Sequence, residues 1–153
     1  MPSTTQRPET GDAVPASRSL LTAHHRFVDH EERLLGQFPQ LALAIHTAVT
    51  TGHDFDQARK ELHQVLSELI CAHAEREKLV VPRPDEIPAA VELLVDAAAA
   101  QWRFLRARVD ELARATTGLD AVSLTRTLHA VLNLHLDLER RILTALRKSP
   151  GSS

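Results

Sequence analysis

The chain has 153 residues, is 43% hydrophobic and 25% charged, and carries a net charge of −2 with histidine neutral. That length suits one domain with a single core, and the balance of charge leaves no basic field for a nucleic-acid backbone. With 3% aromatic residues, no Tyr and five Gly against abundant Ala, Leu, Arg and Glu, the composition favours helices over a β-sandwich.

Residues 1–16, MPSTTQRPETGDAVPA, lack periodicity and are expected to form a disordered tail. From Ser17 apolar residues recur every three or four positions, at Leu20, Leu21, Phe27, Val28, Leu34, Leu35 and Phe38, which predicts a first helix. Pro39 is expected to interrupt it, with a further helical segment after a kink that ends at Gly52. Asp54 or Asp56 can cap a second helix running to about Val81, where VPRPDEIP stops it. A third helix is expected from Asp85 or Glu86 to Thr117, ending at Gly118. A fourth, capped by Asp120, precedes a short tail at 149–153. Four long helices with short connections imply an all-α, up-down-up-down antiparallel four-helix bundle over residues 17–148.

No apolar run of 18 or more residues and no signal-peptide pattern occurs, so no membrane partner and a cytoplasmic location are the expectation. One cysteine, Cys71, excludes an internal disulfide framework and reads as a small core residue. Nine histidines draw the chemistry toward metal ligation.

The second helix carries a stripe of His63, Leu66, Ile70, His73, Glu77 and Val80, and the fourth carries Leu128, Leu132, His135, Glu139, Ile142 and Leu146. In each, an apolar seam is interrupted by a His and by a Glu four residues later, so the two side chains lie one above the other on the same face. A buried carboxylate without a partner costs several kcal/mol, and a cation between the helices removes that cost. Both pairs fall near the C-termini of their helices, and in an up-down-up-down bundle those two ends meet. The first helix reaches the same end with AHHRFVDHEE, where one stripe holds His25 and Glu32 and the adjacent one holds His24 and Glu31. His30 reads as a solvated position. His63 reads as hydrogen-bonded core, and His46, His53 and His129 read as surface or flank.

The segments LLTAHHRFVDHEERLL, LICAHAEREKLVVP and LNLHLDLERRILTAL resemble, in order and spacing over about residues 18–147, the first, second and fourth helices of the hemerythrin-like (HHE cation-binding) domain family. Carried over by position, the resemblance implies His25, His73, Glu77, His135 and Glu139 as metal ligands. His24 stands where the family often has an acid, which leaves the choice between His24 and His25 open. The family's third helix normally supplies a His, and PAAVELLVDAAAAQWRFLRARVDELARA has none. By spacing Gln101 occupies that place; Glu92 or Asp96 on the same helix, or Glu32 on the first, are the alternative ligands. Trp102 beside the gap is expected to be core.

The resemblance implies two iron ions, or one if the third helix supplies no ligand. Its leading functional implication is a non-haem di-iron protein that binds O2, NO or a peroxide-level species for sensing, storage or detoxification. An iron-dependent oxidase or oxygenase acting on a small oxidisable molecule is a second expectation. A helical interaction module without metal is a third.

Overall fold

In the computed structural model the described residues are 13–80 and 88–147, with side chains described for 29–75, 88–89, 91–142 and 144–145. They form four helices and no strand: α1 Ala13–Thr50, α2 Asp56–Val80, α3 Ala89–Arg114 and α4 Gly118–Arg147. The connections at 51–55 and 115–117 are too short for anything but antiparallel neighbours. α1 packs most closely on α2 and α3 on α4, while α1 with α4 and α2 with α3 complete the ring. The result is the expected all-α four-helix bundle. Among the described residues no helix is long and apolar enough to cross a membrane.

Several boundaries differ from the sequence expectation. Ala13–Ala16, expected in the tail, belong to α1, while residues 1–12, 81–87 and 148–153, which hold the rest of both expected tails and the Asp85 or Glu86 start, lie outside the described residues. α1 runs on through Pro39, which was expected to divide it. A proline inside a helix removes one backbone hydrogen bond and crowds the preceding turn, at about 3 kcal/mol. Leu34, Phe38 and Ile45 are buried in the core on either side of it. Each such side chain contributes about 1.5–3 kcal/mol by leaving water, so their burial outweighs the defect.

α1 stops at Thr50, and Gly52, two residues on, has a φ of 70°, the left-handed conformation that a Cβ disfavours. The His53 N–H donates to the Ala48 carbonyl at 2.8 Å and the Gly52 N–H to the Val49 carbonyl at 3.3 Å, the Schellman pattern. Asp54 accepts the Asp56 N–H at 2.9 Å and so opens α2. Hydrogen bonds from Lys60 and Arg59 hold the exposed Asp56 carboxyl below its ordinary range. α3 stops at Arg114, short of the expected Thr117, because Ala115 takes an extended conformation. Gly118 therefore begins α4 rather than ending α3, and Thr117, not Asp120, caps it: Thr117 Oγ1 accepts the Asp120 N–H at 3.1 Å. Asp120 instead lies in the first turn, where its charge complements the helix dipole.

The core is built from Leu34, Phe38 and Ile45 of α1, Leu62, Leu66 and Leu69 of α2, Leu105, Val109 and Leu112 of α3, and Ala121, Leu128 and Leu132 of α4. Arg59 is buried and ties two helix ends together. It donates to the Leu112 and Ala113 carbonyls of α3 at 3.1 and 2.6 Å and also to Asp56.

Candidate metal centre

Toward one end of the bundle the core changes character. The buried seam of α2 continues from Leu62, Leu66 and Leu69 to His73, and that of α4 from Leu128 and Leu132 to His135, with Glu139 half-buried one turn further on. His73 is 3% exposed and His135 2%, as deep as the leucines before them. A three- to four-residue spacing explains this directly, since each histidine extends an apolar stripe by one more step.

The two histidines and Glu139 converge. His73 Nε2 lies 3.1 Å and His135 Nε2 3.2 Å from the same oxygen, Glu139 Oε1. One potential ligand atom from each of the three residues lies within 4.8 Å of the others. Yet among the described residues neither ring nitrogen of His135 has a hydrogen-bond partner, so the 3.2 Å approach of Nε2 is not an aligned hydrogen bond. An ionised carboxylate offers only lone pairs, and each neutral imidazole offers one lone pair and one N–H. A proton on a facing Nε2, or a cation between the three residues, satisfies atoms packed this closely away from water. Two ligands about 2.1 Å from a common ion are about 3.0 Å apart at a right angle and about 3.4 Å apart at a tetrahedral angle. The observed 3.1 and 3.2 Å fall in that interval. The residues fit a cation.

Glu31 of α1 approaches from the other side. It is 6% exposed, and its Oε1 stands 3.8 Å from His73 Nδ1, across the ring from Glu139. That distance is too long for a direct hydrogen bond. A carboxylate facing the second nitrogen of an imidazole is nonetheless the usual arrangement for orienting a ligating histidine. α3 contributes Trp102, whose ring centroid is 3.9 Å from that of His73 and 5.2 Å from that of His135. Glu31, His73, Trp102 and His135, with Leu35, Leu69, Leu132 and Leu136, enclose a cavity of about 10 Å³.

The remaining candidates fall elsewhere. Glu32, Glu92 and Asp96 are exposed, and none joins the converging group. Gln101 does not line the cavity; it is half-buried, and its Oε1 is buried without a hydrogen-bond partner among the described residues. The side chains of His24, His25 and Glu77 lie outside the described residues. His63 sits half-buried beside the seam, 3.5 Å from Ser67 Oγ, because Leu62 takes the inward position. Cys71, expected in the core, is exposed, since Ala72 and His73 face inward from that turn. His46, His53 and His129 are exposed, as their spacing implied.

Trp102 is the site residue that periodicity missed. Counting back from buried Leu105, both a three-residue and a four-residue step are helical, so Trp102 and Gln101 are equally good inward positions. The size of the indole, the chain's one Trp, was the available signal. Comparison with protein-family models, with curated proteins and with solved structures finds no match.

Proposed function

We propose that this chain is a hemerythrin-like non-haem iron protein that takes up O2, NO or a peroxide-level species for sensing, storage or detoxification. One observation carries the reading. Two buried imidazole nitrogens converge on one carboxylate oxygen, and the nearer-buried imidazole has no hydrogen bond to account for its depth. His73, His135 and Glu139 would hold the ion; two imidazoles and a carboxylate suit ferrous iron, as they do in non-haem iron proteins generally. When bound, such an ion supplies electrons to a small ligand at an open coordination position.

The protein's own residues define what can enter. Leu35, Leu69, Leu132, Leu136 and Trp102 keep bulk water from the histidines, and Glu31 faces His73 Nδ1 to orient that ring. The enclosed space of about 10 Å³ is of the order needed for one water molecule.

Metal analysis of protein purified under low oxygen tests the proposal. His73→Ala and His135→Ala should each lose most bound iron. His53→Ala should retain it, because His53 is exposed and bonded to Thr51 Oγ1 at 2.7 Å. Equal iron in all three variants would sink the assignment.

A further inference from the structure

The outward side of α3 is apolar where a solvated helix face is expected. Leu93, Ala97, Ala100 and Phe104 are all exposed, Leu93 at 79% and Phe104 at 41%. At about 100° per residue they share an arc of about 60°, roughly opposite Trp102, which packs against the core. Arg108 lies over the Phe104 ring at 5.0 Å and is itself paired with Glu111 at 2.7 Å, yet the ring remains exposed. Beside the stripe runs one charged edge. Glu92, Asp96 and Arg103 fall within an arc of about 40° there. All three are exposed, and none makes an ion pair among the described residues.

We propose that this face of α3 is the interface of a homodimer, in which it packs antiparallel on the same face of a second copy. The two-fold axis passes midway between Ala98 and Ala99. The 4-3-4 spacing of the stripe reads the same in both directions, so this axis sets Leu93 against Phe104 of the second copy and Ala97 against its Ala100. Small residues at the centre let the two helix backbones approach, and a large apolar pair closes the contact at each end. An exposed apolar stripe bounded by charge is what a contact with another protein surface requires.

The charges identify the occupant as a copy of this chain. A two-fold axis perpendicular to the helices brings the same edge of both copies together. Arg103 of one copy then stands level with position 94 of the other, midway between Glu92 and Asp96 and about 3 Å along the helix from each. Each unpaired cation meets two unpaired acids, twice over. A parallel pairing would put the two charged edges on opposite sides of the contact and leave them unmatched. Asp110, the next charged residue on this edge, falls level with a position before Ala89, beyond the start of the other α3. The stripe spans about 17 Å, so the interface is at the small end of the specific range and the dimer is micromolar rather than nanomolar. Rim charges of this kind fix register and partner more than they add affinity.

Sedimentation equilibrium of the full chain from micromolar to submillimolar concentration tests the proposal. The parent should pass from the 16.9 kDa monomer to twice that mass. Ala97→Glu places an acid at the centre of the contact and should weaken dimerisation about tenfold or more. Leu93→Ser should weaken it in the same direction, and both positions are exposed, so far-ultraviolet circular dichroism should show unchanged helix content. Arg103→Glu and Asp96→Arg should each weaken the dimer about threefold to tenfold by setting like charges together. The double variant Asp96→Arg with Arg103→Glu should recover most of that loss, because the pair is exchanged rather than removed. A parent that stays monomeric throughout would overturn the proposal. So would a dimer indifferent to Ala97→Glu and Leu93→Ser, which would use another face. A dimer that needs Ala97 and Leu93 but shows no recovery in the double variant would overturn the antiparallel register.

Discussion

His135→Leu should stabilise the metal-free protein and destroy its response to iron. His135 is 2% exposed, and neither of its ring nitrogens has a hydrogen-bond partner among the described residues. A buried polar group left unsatisfied costs about 1–3 kcal/mol. Leucine removes that cost and adds apolar surface against Leu132 and Leu136, which line the same cavity. The difference in shape returns less than about 1.5 kcal/mol. Glu139 keeps His73 at 3.1 Å and has a side chain 18% exposed, so it is not stranded by the change. The net expectation is a gain of up to about 3 kcal/mol, or up to roughly 12 °C in melting temperature for a chain of this length. Iron reverses the order. The parent gains about 2.7 kcal/mol at a hundredfold excess of free ion over its dissociation constant, and the variant gains nothing. Melts followed by far-ultraviolet circular dichroism, once with a chelator and once anaerobically with ferrous iron, read both effects. If His135→Leu lowers stability in chelator by more than about 1 kcal/mol, the imidazole is a satisfied structural group, and the inference from its unpaired nitrogens fails.

Two further expectations concern the scaffold. Arg59→Met keeps the buried stem but strips the Leu112 and Ala113 carbonyls of their donor, at a cost of about 1–3 kcal/mol. Faster hydrogen exchange in the last turn of α3 would accompany that loss, and unchanged denaturant midpoint and exchange would refute the tie. The two helical glycines should respond oppositely. A Cβ at Gly36 meets nothing within 4 Å, so Gly36→Ala should stabilise by about 1 kcal/mol. At Gly118 a Cβ would stand 2.8 Å from Val49 Cγ1, so Gly118→Ala should cost about 1–2 kcal/mol by forcing α1 and α4 apart. Denaturant midpoints that rise alike for both would show that the close approach at Gly118 is not a constraint.

Periodicity alone determined the helices, their order and most of the seams, because a repeat of three and four residues places side chains on one face whatever they pack against. It also determined that His73, His135 and Glu139 share the inward face of α2 and α4 at the same end of the bundle, where the structure brings them together. Only the tertiary structure decided between sequence neighbours. Adjacent residues on a helix differ by about 100° around its axis, and a stripe that tolerates steps of three or four cannot separate them. Glu31 over Glu32, Trp102 over Gln101 and Leu62 over His63 are choices of rotation, made when each helix seats its largest apolar side chains against its neighbours. The course of α1 through Pro39 and the start of α4 at Gly118 have the same origin. Local preference argued for a break at the first and an end at the second. Burial of Phe38 and Ile45 and the Thr117 cap outweighed it, and both belong to the folded bundle.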